Sequence, residues 1–281
     1  MLEHEKTPDI RIFQIFFNPA QVKHLDKEFV PFDNCGQTDP LLEVGVFRRL
    51  YGSQAVLEAD LWGAVSWKFT QKSGVSAAQW LTFIKDNPGH DVYFCNPNPE
   101  IEALFENPWI QGESAHPNFL GVSHAVLKTL GFPIDFLTMP VHSKYVCTAN
   151  YFVGNHRFWG AYNQFLNTVC KAIENLPPTT RKVLCNVSAD PNGVHNGATY
   201  LPFFMERLFG LFLAQHQNSL SSLKLMFEYP SDAHGQHLEN LRCVKDHAVD
   251  LKSNALMKVW SDYRKASFSI TPRTTAADWF R

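Results

Sequence analysis

The chain has 281 residues, with 25 basic and 27 acidic side chains giving a formal charge of −2, and 45% of it is hydrophobic. That size allows a sizeable core, and a near-neutral chain without a Lys/Arg run argues against a nucleic-acid backbone as main partner, because phosphate neutralisation needs a basic face. Six cysteines without a Cys-x-x-Cys pair indicate neither a disulfide framework nor a zinc ribbon, and no apolar run approaches the ~18 residues of a membrane span. Met1 to Asp9 is charged and polar rather than basic and then apolar, so a cytoplasmic protein is expected.

Ile10 to Phe17 is β-branched and aromatic, ends at Asn18-Pro19, and predicts a first, central strand. A short polar helix over Ala20 to Lys27 follows. Phe29 to Gly36, which includes Asn34, reads as a Pro/Asn/Gly loop of the kind that lines sites in α/β proteins. Leu41, Leu42, Val44, Phe47 and Leu50 predict a helix from about Pro40 to Tyr51. Trp62 to Phe69, with Ser66 and Lys68, is the next strand, leading through Lys72-Ser-Gly74 to a helix near Ser76. There Ser76 and Gln79 fit a capping box, and Trp80, Phe83 and Ile84 supply the apolar stripe.

Val92 to Cys95, bounded by Gly89, Pro97 and Pro99, predicts a short buried strand, and strand, helix, strand in that order suggests a parallel βαβ unit. Helices are expected over Pro99 to Glu106 and Phe119 to Leu130, joined by a polar loop, Gln111 to Pro117, that carries Glu113 and His116. Tyr145 to Val153 reads as a strand, and Gly154-Asn-His-Arg157 turns into a helix with Phe158, Trp159, Tyr162, Phe165 and Val169, ending before Pro177-Pro178. Beyond it, Lys182 to Val187 reads as a strand and Ser188 to Tyr200 as a polar loop. Leu201 to Gln215 is an apolar helix, Leu223 to Tyr229 a last strand, and helices begin near Gly235.

Ligands in open α/β sheets bind outside the carboxyl ends of strands, so Asn96, Asn98 and Glu100, after the Asp91 to Cys95 strand, stand where a polar loop can face one. The same Asn-Pro-Asn-Pro also suits a plain turn into the next helix. Glu206-Arg207 lies inside a strongly apolar helix, where a charge must be paired, solvated or aimed at a ligand. The preceding loop supplies Asp190 and His195 as further general-base candidates. His234, His237 and His247 invite a metal reading, but no carboxylate completes a recognised motif. Phosphate-binding Gly loops and a Gly-x-Ser-x-Gly elbow are absent from the sequence, which sets aside P-loop, dinucleotide-fold and standard hydrolase readings.

Four stretches resemble nucleotide-sugar glycosyltransferases of the GT-A type, in particular bacterial members associated with surface-polysaccharide synthesis: Trp62 to Phe69 followed by Lys72-Ser-Gly74, Asp91 to Pro97, Ala149 to Gly154 with Phe158-Trp159, and Tyr200 to Phe209. The resemblance implies an α/β fold, a mostly parallel central sheet flanked by helices, Rossmann-like and single-domain. Its catalytic part would cover 1–215, with a helical extension over 216–281 packed on it. It implies a nucleotide-sugar donor held over the first strands and a glycan acceptor, with no nucleic-acid partner and room for a peripheral place at the inner membrane. Family members place Asp-x-Asp around a divalent cation after a central strand. Here that slot reads Asn96-Pro-Asn98, which puts the metal in doubt. Donor contacts would come from Asn34, Ser66, Lys68, Lys72, Asp91, Asn96, Asn98 and Arg207, and a base from Glu206, Asp190 or His195. The alternative is a non-catalytic carbohydrate- or nucleotide-binding or assembly protein on the same fold.

Overall fold

The structure, a computed structural model, describes residues 8–189 and 197–270, the side chains of residues 268–270 excepted. The chain divides into two compact units, the first made of residues up to Pro97, Ala149–Thr168 and Phe212–Leu225, the second of Asn98–Thr148, Val169–Leu211 and the residues from Met226 on.

The first unit is built on a six-stranded sheet in the order β2-β1-β3-β5-β4-β6. Its strands are β1 (Ile10–Phe16), β2 (Val30–Asp33), β3 (Leu61–Ser66), β4 (Val92–Cys95), β5 (Phe152–Gly154) and β6 (Ser222–Leu225). All neighbours are parallel except β5, which runs antiparallel to both β3 and β4. The fold class is therefore the expected α/β one, with a mostly parallel sheet and helices around it. β3 and β4 are buried along their whole length, as continuous apolar runs in a parallel sheet must be. Gly63 lets β5 approach β3: a Cβ there would overlap the carbonyl oxygen of Phe152. The space beside it is filled by Trp62 and Trp159, stacked at 3.8 Å, with the Trp159 indole donating to the Trp62 carbonyl at 2.8 Å. Phe47 and Phe152 close the same cluster at 5.1 Å.

Several expectations for this unit need correction. Phe29 to Gly36 is not all loop, since Val30–Asp33 pairs in parallel with β1 as an edge strand, a place that tolerates Pro31. The helix expected over Ala20 to Lys27 is a 3-10 turn, Pro19–His24, opened by an Asn18/Gln21 capping box. β3 and β4 do not pair, because β5 lies between them. From Tyr145 to Val153 just the last residues join a strand: Val146, Cys147 and Tyr151 are buried without being part of one, and burial alone writes the same apolar signal as a ladder. The last strand stops at Leu225 rather than running to Tyr229.

The second unit is helical. Ala103, Leu104, Leu238, Leu241 and Trp260 form a buried cluster, in which the Trp260 indole donates to the Ala103 carbonyl at 2.9 Å. It brings together the helices Pro99–Leu104, Ala233–Asp250 and Asn254–Ile270. Lys182 to Val187, expected as a strand, belongs to the helix Pro178–Asn186, which begins on a proline suited to a first helical turn. Gln111 to Pro117 is mostly the end of the helix Pro108–Ala115, whose Asn107 cap accepts from the backbone of Trp109 and Ile110 at 2.8 Å each. No described helix is long and apolar enough to cross a membrane.

Candidate functional site

In the first unit the chain leaves β1 for β2 on one side and then crosses to β3 on the other, so the sheet order reverses at β1. At such a switch point the connections diverge beyond the carboxyl ends of the strands and leave room for a ligand. The carboxyl ends of β2, β1, β3 and β4 share that edge with the amino end of the antiparallel β5.

Asn34 follows β2, is 5% exposed, donates its backbone N–H to the Phe16 carbonyl at 2.9 Å, and accepts at Oδ1 from Arg49 Nη2. Asp33 ends the strand beside it. Its carboxylate accepts from the Cys35 backbone N–H at 2.8 Å, and that hydrogen bond holds it below the ordinary carboxylate range. At the end of β3, Ser66 Oγ lies 2.8 Å from Tyr151 Oη. Trp67 is half-buried, with the Lys68 ammonium 4.9 Å from its ring centre and the His24 ring at 5.7 Å. Lys72 is exposed on the short helix Phe69–Ser73 that follows. Beneath, Gln14 and Asp26 bond each other twice, at 2.6 and 3.1 Å, and Thr70 Oγ1 donates to Asp26 at 3.0 Å. This network ties the connections after β1 and β3 to the sheet and fixes the floor under Trp67. Asn96 follows β4 and is fully buried.

Asn34, Ser66, Lys68, Lys72 and Asn96 thus gather along one sheet edge. Asp91 is in the same unit but at the opposite, amino-terminal end of β4. There it accepts from Asn155 Nδ2 at 2.9 Å and from the Ser221 backbone at 2.8 Å, with Arg157 at 3.4 Å. It anchors β4 to the starts of β6 and of the helix His156–Glu174, and does not reach the carboxyl edge.

The other expected residues belong to the second unit. Asn98 precedes Pro99–Leu104 and donates to Thr148 Oγ1 at 3.3 Å. Arg207 is buried and donates to the carbonyls of Pro108 and Phe203 at 2.8 and 2.7 Å and to Gln111 Oε1 at 2.7 Å, with its guanidinium 4.7 Å over the Phe119 ring. Burial lowers its pKa to about 10, against the pull of Glu206. Glu206 is half-buried, 4.0 Å from that guanidinium. Glu113 accepts from the Asn118 and Leu120 backbones at 2.9 and 2.7 Å, and His116 stacks on Phe203 at 3.8 Å. His234 faces Glu100 at 3.8 Å and His237 bonds Tyr263 Oη at 2.7 Å. Asp190 and His195 lie outside the described residues. Among the described residues no group of three or more His, Cys, Asp or Glu is placed to hold a metal ion.

No protein-family model matches the sequence, and no curated protein does. Among solved structures, one titled as the apo structure of WbbM, a bifunctional glycosyltransferase, aligns with a TM-score of 0.47 at 13% identity. The alignment covers 78% of this chain and 45% of that one, so the chain spans less than half the length of that protein.

The carboxyl edge carries a half-exposed tryptophan, two lysines and several amides. That combination suits a ligand with a flat ring, an anionic centre and hydroxyls. Asp33, Arg49 and Asp26 were not apparent from sequence. Asp33 was hidden because its strand reads as a loop, and the other two act through contacts that have no spacing signature.

Proposed function

We propose that the chain is a glycosyltransferase that takes a sugar from a nucleotide-sugar donor bound at the carboxyl edge of the first unit's sheet, and passes it to a glycan hydroxyl. The observation that carries this reading is the convergence of Asn34, Ser66, Trp67, Lys68, Lys72 and Asn96 on the edge where the sheet order reverses. Trp67 offers a stacking face for a base, and Asn34, held by Arg49, offers a hydrogen bond to a base or ribose. Lys68 and Lys72 supply positive charge toward the diphosphate leaving group as its charge develops.

Asn96 and Asn98 offer neutral amide oxygens where related enzymes hold a divalent cation with carboxylates. Neutral amides in place of carboxylates are a weak donor set for Mg²⁺ or Mn²⁺, and in this reading no step runs through a metal. An inverting transfer also needs one general base on the acceptor hydroxyl. Arg207, whose donors are engaged with carbonyls and Gln111, is left out of donor binding in this reading.

The same amides favour a second reading, a binding protein that holds a nucleotide or glycan without turnover. A thermal-shift panel of UDP-, GDP-, CMP- and dTDP-sugars, each with Mn²⁺ and with EDTA, followed by donor-hydrolysis assays, separates the cases. A ligand at ~100 times its dissociation constant stabilises the folded state by about 2.7 kcal/mol, well within reach of the method. One donor class shifting the protein and being turned over supports the transferase. Binding without hydrolysis or transfer supports the second reading, and no shift with any donor sinks both.

A further inference from the structure

Asn150 immediately precedes Tyr151 and β5. The β4/β5 register pairs Phe94 with Phe152, and the Cys95 N–H donates to the Tyr151 carbonyl at 3.1 Å. Continued by one residue, that register sets Asn150 across from Asn96 on the carboxyl edge. Asn150 is 4% exposed, and its side-chain oxygen is sealed without a hydrogen-bond partner among the described residues. Its neighbours along the edge are different: Ser66 meets Tyr151, Asn34 meets Arg49, and Gln14 meets Asp26. Ser53 Oγ and Trp80 Nε1 share the unpartnered state in this unit, but Trp80 sits on the helix Ala77–Asp86 within the core and Ser53 in the turn before the helix Gln54–Leu57.

A buried carboxamide oxygen without a partner costs stability, and polar groups kept in that state are candidates for a bond made with something bound. We propose that Asn150 is a donor-sugar contact, its carboxamide oxygen accepting a hydrogen bond from a sugar hydroxyl. This rests on the nucleotide-sugar reading above. Strand spacing sets which part of the ligand it meets. From β2, where Asn34 stands, to β5 is three strands, roughly 14 Å, and from β3, where Trp67 stands, it is one strand, roughly 5 Å. A nucleotide laid over β2, β1 and β3 therefore directs its sugar toward β5 and β4. An amide oxygen there repels phosphate oxygens and accepts from a hydroxyl, which favours the sugar over the diphosphate as its partner.

The test is calorimetric titration of the full-length chain and of Asn150→Ala and Asn150→Leu with the donor selected by the panel and with its parent nucleoside diphosphate. Melting temperatures are measured without ligand. The expected result is donor affinity weaker by about three- to tenfold, the loss of one hydrogen bond, with nucleoside diphosphate affinity unchanged. The unliganded melting temperature should stay within about 2 °C in at least one variant, since the buried oxygen makes no hydrogen bond among the described residues of the unliganded chain. Equal weakening of both ligands overturns the sugar assignment. Unchanged donor affinity overturns it too, leaving the amide to an ordered water alone. A fall of more than about 5 °C in both variants overturns it in favour of a packing role. A wild-type chain silent to the whole panel overturns the transferase reading and this assignment together, whereas binding that survives both substitutions intact overturns this assignment alone.

Discussion

Arg49 donates to the side-chain oxygen of Asn34 and lies 3.7 Å from Asp39 through its other terminal nitrogen. The helix Glu43–Leu50 thereby orients an amide at the end of β2. Asn34 is thus presented with its oxygen engaged and its N–H₂ as the end directed by the pairing. If that amide meets the ligand, Arg49 is a positioning residue. Arg49→Met should weaken binding of the selected nucleotide by about three- to tenfold, the range of one misplaced hydrogen bond. Arg49 is exposed on the helix, so the melting temperature should move by no more than about 2 °C. Calorimetry with Asn34→Ala and the double variant checks the coupling. Effects that simply add would show that the two residues act separately.

Arg207 is expected to behave in the opposite way. Its guanidinium satisfies two carbonyls and Gln111 Oε1 and packs on Phe119. Arg207→Ala leaves those buried acceptors unpaired, at a cost of about 3 kcal/mol or more. For a chain of this size that is a fall in melting temperature of roughly 6–12 °C. Arg207→Lys should recover little of it, because one ammonium on a straight stem cannot reproduce the planar fork. A near-native melting temperature with lost turnover would instead place Arg207 against substrate.

The second unit also carries a pH-dependent element. Burial holds the His142 imidazole below its ordinary value of 6.5, against the opposing pull of Asp246 and Asp250. Its Nδ1 accepts from the Lys144 backbone at 3.1 Å, which suits the neutral ring. Asp246 in turn accepts from the backbone N–H of Ser143 at 2.7 Å and from its hydroxyl. With the folded value depressed, the unfolded chain binds the proton more readily. The stability this group contributes is complete above 6.5 and is lost as pH falls from there through the folded value. Melting curves taken from about pH 8 down to pH 5 should show that decline in the wild type and a flatter profile in His142→Gln. Parallel profiles would mean that His142 does not titrate with unfolding.

The frame of the first unit was legible wherever an apolar run ended in turn chemistry. Val92 to Cys95, closed by Asn96-Pro97, and Trp62 to Ser66, buried at every position, both became interior strands. Failures came where one signal serves two structures. Val146 and Cys147 are buried without a ladder, and Val183-Leu184 turned out helical behind Pro178. Val30–Asp33 was lost because Pro31 and Asn34 read as loop, although an edge strand accepts a proline. The site residues divided by the same logic. Asn96 follows a strand whose end the sequence locates, whereas Ser66 and Lys68 read as part of a longer strand and Asn34 follows a strand that read as loop. Asp91 precedes its strand, and strand direction alone puts it on the far edge, where it serves as an anchor. Arg207 stood out because sequence shows a charge in an apolar helix, while the carbonyls that receive it have no sequence signature.

Trp67 offers the most direct view of ligand entry. Trp62, Trp80, Trp109, Trp159 and Trp260 are buried, whereas Trp67 is half-exposed beside Lys68. A stacked base would cover its ring and change its emission, while the interior indoles keep their surroundings. Titrating the selected nucleotide should therefore change tryptophan fluorescence in the wild type, and that change should vanish in Trp67→Leu. Loss of one stacking face costs about 1–3 kcal/mol by analogy with base–aromatic stacking, so affinity should fall roughly 5- to 150-fold. The folded state should lose little, because the half-exposed ring is not part of the buried core. An undiminished fluorescence response in Trp67→Leu, or an unchanged affinity, would move the ligand away from the edge of β3 and leave Asn34 and Asn96 without a stacking partner between them.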